Sequence, residues 1–93
     1  MVIGVVEILL RIPESQSLKM KRMVIKSLKD RIHNQFNVSV AEISQLSNMR
    51  GCTLGIAHIS NDKQFTNEVL SKIVNFIEIS RGVELDDYHL MFL

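Results

Sequence analysis

The sequence predicts an α+β domain in the order β-α-β-β-α-β, a four-stranded antiparallel sheet with two helices on one face. Three observations predict it. Two long segments repeat apolar residues at spacings of three, four and seven, four segments rich in Val, Ile and Leu occupy the other places, and turn-forming residues stand at the borders. With 93 residues, 46% hydrophobic and 23% charged, the chain has room for one ordinary globular domain over residues 1–93. That composition excludes a disordered, collagenous or coiled-coil chain.

The first strand is expected from Val2 to Ile12, ending at Pro13, which cannot continue a sheet ladder. Alternation puts Gly4, Val6, Ile8, Leu10 and Ile12 on one side, which reads as core. The other side carries Ile3, Val5, Glu7, Leu9 and Arg11, a half-exposed mixture suited to a dimer or ligand face. Ser15-Gln16-Ser17 supplies caps for a helix over Leu18–Phe36, whose inward stripe is Leu18, Ile25, Leu28, Ile32 and Phe36. Asn37 stops it, and Val38–Ile43 follows as a second strand. Ser44–Gly51 is a polar connection, and Cys52–Ile59 a third strand in which Gly55 and Ala57 leave room for another element to pack closely. Ser60 or Asn61 caps a second helix to Ile79, with Phe65, Val69, Ile73, Phe76 and Ile77 inward. Gly82 closes it, and Val83–Leu93 is the last strand. Joined by right-handed crossovers, these elements make the ferredoxin-like fold.

That fold hosts unrelated functions, so the site is argued separately. Pro13-Glu14-Ser15 is not the glycine-rich anion loop of an acylphosphatase, and Cys52 alone does not make the two-cysteine site of a metallochaperone. The first and third strands lack the Phe, Tyr or Trp on which an RNA-recognition motif stacks bases. No nucleophile–base pair is apparent, so a catalytic role and a cofactor are not expected. Glu7, His58 and His89 would approach one another only if all three shared the open face, and no metal site is assigned to them. The lone Cys52 permits no internal disulfide, and no apolar run nears the roughly 20 residues of a membrane span. Met1 leads into apolar residues without a basic leader. A cytoplasmic protein is expected.

The charge is uneven. Residues 1–50 hold eight Lys/Arg against four Asp/Glu, net +4, and residues 51–93 hold three against six, net −3. On the first helix, Lys19, Arg22, Lys26, Lys29 and His33 fall within a wedge of about 80° at 100° per residue. Such a stripe suits contact with nucleic-acid phosphates, and equally describes a solvated helix face. Two details favour an anion there. Lys19, Lys21 and Arg22 crowd the first turn, where the helix dipole disfavours cations, and Lys21 falls within the apolar stripe. An anion held by free backbone N–H groups, a Ser15 or Ser17 hydroxyl and these cations would relieve the first conflict. Pairing with Glu14 or Glu42, or snorkelling past the sheet edge, would explain the second.

Ile12-Pro13, Ser17-Leu18-Lys19-Met20-Lys21-Arg22, Phe36-Asn37-Val38-Ser39-Val40-Ala41-Glu42 and Leu54-Gly55-Ile56-Ala57 together resemble the YlxP-like family of small bacterial proteins of uncharacterised function. The resemblance covers nearly the whole chain and implies the same ferredoxin-like fold. It marks Ser17, Lys19, Lys21, Arg22 and Glu42, and implies no activity or cofactor. Genes of the family often neighbour those for translation factors and ribosome maturation, which implies association with RNA or the ribosome. Where the family commonly has an acidic residue and a large aromatic before the third strand, this chain has Ser47 and Met49. The expectation is therefore a non-enzymatic RNA- or ribosome-associated protein using Ser17, Lys19, Lys21, Arg22, Lys26 and Lys29. The alternative is a homodimeric small-molecule binding or regulatory module using the open sheet.

Overall fold

The elements of the computed structural model, which describes residues 1–93, follow the expected order. They are β1 (Val2–Arg11), α1 (Leu18–Gln35), β2 (Ser39–Ser44), β3 (Gly51–Ser60), α2 (Lys63–Glu78) and β4 (Glu84–Phe92). The sheet order is β2-β3-β1-β4 and every pairing is antiparallel. This is the ferredoxin-like layout, and element boundaries lie within a few residues of those read from the sequence.

Alternation along β1 works as expected, because a slip of one residue would move its whole apolar set to the wrong face. Val6, Ile8, Leu10 and Ile12 are buried with Cys52, Leu54 and Ile56 of β3. Ile25, Leu28 and Ile32 of α1 and Leu70, Ile73, Val74 and Ile77 of α2 complete that core. Both helices cover one face of the sheet, and no helix covers the other. Each outer strand carries a bulge. Asp86 is the extra residue opposite Leu9 and Leu10, and Ile43 the extra residue between the Glu42–Leu54 and Ser44–Thr53 pairs.

The second helix keeps Val69, Ile73, Phe76 and Ile77 against the core as expected and departs from its expected stripe at Phe65. Its buried residues are Thr66, Leu70, Ile73, Val74 and Ile77, while Phe65 is 51% exposed and Val69 and Phe76 are only half-buried. The cause is Gly4 on β1. A Cβ there would lie 2.5 Å from Thr66 Cγ2 and 2.9 Å from Leu70 Cδ1, so the helix is seated against bare backbone. Thr66 fits that space, and its hydroxyl is 2.9 Å from His58 Nδ1 and 2.6 Å from Ser60 Oγ. Phe65 is left to pack edge-on against the His58 ring. The cap of α2 is Asp62, whose carboxylate accepts from Gln64 N, rather than Ser60 or Asn61.

Candidate functional site

The expected site residues divide between two surfaces, one around α1 and one on the open sheet. Helix α1 begins where the sequence placed it. Ser17, extended at φ −160°, caps it by accepting from Met20 N at 3.0 Å. The buried Ser15 donates its hydroxyl to the Ser17 carbonyl, fixing the entry turn.

Lys21 is wholly buried. Its side chain runs from the apolar stripe of α1 to the β2–β3 connection, where Nζ donates to the carbonyls of Gln45 and Asn48, both at 2.7 Å. The third direction meets Glu42 Oε2 at 2.8 Å. That oxygen has no aligned hydrogen-bond donor, so its compensation is the ionic attraction itself. Two of the three donors of the ammonium group thus reach carbonyl oxygens, and its third side is held by charge alone. Of the two partners expected for Lys21, Glu42 is the one it meets. The ammonium is turned into the protein and does not share a surface with its neighbours on α1.

The connection is shaped around that ammonium. Gln45 adopts φ +63°, the left-handed region, which aims its carbonyl at Lys21. Its side-chain amide donates to Thr53 Oγ1 and accepts from Asn48 Nδ2. Gly51 lies beneath it, and a Cβ there would push aside the Gln45 and Asn48 side-chain amides. Arg50 Nε donates to the Ser15 carbonyl and Ile12 N to the Arg50 carbonyl, binding this connection to the β1–α1 turn. Cys52 is buried beside Lys21 and Glu42. Its thiol is pushed up to about 12, first by burial and then by the Glu42 negative charge.

The basic stripe stands outside this cluster. Lys19, Arg22, Lys26 and His33 are exposed and Lys29 is half-buried. Lys26 pairs with Asp30 at 3.0 Å, but both side chains are mostly in water, where such a pair contributes little. The acidic end of the chain does not neutralise the stripe. Glu84 and Asp86 bind Arg11 on β1, at 3.0 and 2.6 Å, and hold its guanidinium above its ordinary value, chiefly through the Asp86 hydrogen bond. Asp87 lies 3.5 Å from His89 Nε2.

On the open face, Ile3, Val5, Glu7 and Leu9 are half-buried and Arg11 is exposed. A trough of about 370 Å³ runs between β1 and β2 over Gly55 and Ala57, with Ser39, Ala41 and Ile43 on one side and Val5, Glu7 and Met91 on the other. Ile43 leans across Gly55, where a Cβ would come within 3.1 Å of its methyl group. The room that Gly55 and Ala57 leave is thus an open trough, with no element of this chain packed into it. Glu7 and His89 are cross-strand neighbours on this face, whereas His58 is on the helix side, so the three do not meet. The His58–Thr66–Ser60 cluster had no sequence signal beyond a threonine beside an aromatic.

A model of a protein family of unknown function, DUF503, matches residues 3–90. The chain is also 35% identical over 82 residues to the uncharacterised protein YlxP of Bacillus subtilis, an alignment covering 88% of this chain and 89% of that relative. The chain belongs to the DUF503 family, the YlxP-like proteins.

Proposed function

We propose that this DUF503 protein binds the phosphate backbone of an RNA through the exposed face of α1. One observation carries the reading: besides the buried Lys21 the helix holds five Lys/Arg and one acid, Asp30, and Glu84 and Asp86 of β4 pair with Arg11 instead. Lys19, Arg22, Lys26 and Lys29 present their charge at alternating spacings of three and four, with His33 extending the line. Lys21 and Ser17 serve as positioning residues, since the buried ammonium and the cap fix the start of the helix to the β2–β3 connection. The rigid base lowers the cost of ordering the cations against a phosphate chain. The absence of aromatics from β1 and β3 favours contact with backbone over base stacking.

The test is a titration with ribosomal RNA and with ribosomal subunits at several salt concentrations, beside a Lys19→Ala/Arg22→Ala/Lys26→Ala variant. Four phosphate contacts predict a slope of about −3 in log affinity against log salt, a loss of roughly 50- to 150-fold between 50 and 200 mM. Each single Lys→Ala change lowers the slope by about 1 and leaves base preference untouched. Salt-independent binding, or binding the triple variant retains, defeats the reading.

A further inference from the structure

The open face of the sheet is divided into two halves of opposite relief. Large side chains stand on the β1–β4 half, with Val5, Glu7 and Leu9 on β1 and His89 and Met91 on β4. On the β3–β2 half Gly55 and Ala57 floor the trough and Ala41 and Ser39 line it, with the larger Ile43 and Ile59 standing at its margins. The two halves are level with each other. Val5 stands beside Ala57, which pairs with Ser39, and Glu7 stands beside Gly55, which pairs with Ala41.

We propose that a second copy of this chain closes the face, each copy seating its raised half in the trough of the other. The strand order selects the symmetry. A two-fold axis parallel to the strands, passing between β3 and β1 and midway between the sheets, lays β1 over the partner's β3 and β4 over the partner's β2. That operation keeps each residue at its own level along the strand, so Val5 meets the partner's Ala57 and the partner's Val5 meets Ala57. A two-fold axis across the strands would set β1 on β1 and β3 on β3, ridge against ridge and trough against trough. Facing sheets prefer strands aligned within about 30°, which the first arrangement satisfies.

The face is of the order of size that a small dimer interface needs. Four strands about 4.8 Å apart and about 30 Å long span about 570 Å² in projection, before side-chain relief is counted. A stable interface takes about 800 Å² of accessible surface from each partner. Arg11, Glu84 and Asp86 pair among themselves at one end of the face, and Glu7 with its cross-strand neighbour His89 would be enclosed within the interface. Helix α1 lies on the other side of the sheet, so the inference stands apart from the RNA reading.

Light scattering on the eluting protein tests it. The wild-type chain is expected at about 21 kDa, twice the 10.6 kDa of one copy, down to micromolar concentration. Ala57→Arg fills the trough, and Met91→Lys charges the ridge at a side chain that is 45% exposed in one copy. Each is expected to raise the dissociation constant at least a hundredfold while the far-UV circular dichroism of the folded chain is kept. Ile79→Arg, at an 83% exposed residue after α2 and away from this face, leaves the dimer intact. A wild-type mass of 10.6 kDa at several hundred micromolar overturns the proposal. So does a dimer that both face variants retain, which would place the contact on a sheet edge.

Discussion

The ammonium of Lys21 lies 2.8 Å from Glu42 Oε2 with the lysine side chain 1% exposed and the glutamate 17%. This joins the first helix to the far edge of the sheet through a buried ion pair. Removing one partner of such a pair strands the other charge, at a cost of about 3–5 kcal/mol. Lys21→Met is expected to fall in that range by urea unfolding, since it also deprives the Gln45 and Asn48 carbonyls of their donor. Glu42→Gln keeps an oxygen for Lys21 and is expected to cost less. The Lys21→Met/Glu42→Gln double variant should be less destabilised than the sum, with a coupling of at least about 1 kcal/mol. Additive single effects would show that the two side chains do not act as a unit.

The seat of α2 on Gly4 predicts a steric partnership. Gly4→Ala puts a methyl group against Thr66 Cγ2 and Leu70 Cδ1, and overpacking of this kind costs about 1–3 kcal/mol. Thr66→Ser removes the threonine methyl and keeps the hydroxyl that meets His58 and Ser60. The Gly4→Ala/Thr66→Ser chain is therefore expected to recover part of the loss, read as a rise in thermal midpoint over Gly4→Ala alone. No recovery would mean that the strand backbone, not the threonine methyl, meets the strain.

Cys52 is expected to be inert. A thiol pushed up to about 12 is ionised to roughly one part in 10⁵ at pH 7, against a few per cent for an ordinary one. A disulfide reagent should leave the native chain unmodified and titrate one thiol after denaturation. Rapid native labelling would show that the site opens readily.

The same thiol predicts a pH dependence. Its folded value lies above the 9.0 of an unperturbed thiol, so its contribution to stability is fully present below about pH 9. As pH rises from 9 towards 12 the unfolded chain ionises first, and that contribution is lost. Cys52→Ala is expected to cost about 1 kcal/mol at neutral pH through the small cavity it leaves. It should also flatten the alkaline fall in stability between pH 9 and 11. An equally steep fall in both proteins would assign the alkaline loss to other groups.

Much of the α1 region was legible in the sequence because a helix periodicity is a local property. Lys21 stood out as a cation at an apolar position, and Glu42 as one of two partners able to meet it. Which of the two it reached was not legible, because the answer depends on β2 pairing with β3 and on Gln45 taking a left-handed conformation. One position of the α2 stripe, Phe65, was misread for a related reason, while Ile73 and Ile77 are in the core with Val69 and Phe76 packed against it. Phe65 outranks Thr66 in hydrophobicity, but the rotation of the helix is decided by Gly4, some sixty positions earlier in the chain, through a contact no local window contains.

By itself the sequence determined the order of elements, the inward side of β1, the start of α1 and the basic stripe along it. All of these follow from spacings within one segment, where the geometry of a helix or strand assigns the face. The tertiary structure alone decided that Glu84 and Asp86 of β4 go to Arg11 rather than to α1, that His58 and His89 lie on opposite faces, and that small residues of β2 and β3 share one trough. Those outcomes depend on strand order and register, which bring together residues far apart in the chain. Periodicity within a single strand carries no information about its neighbour.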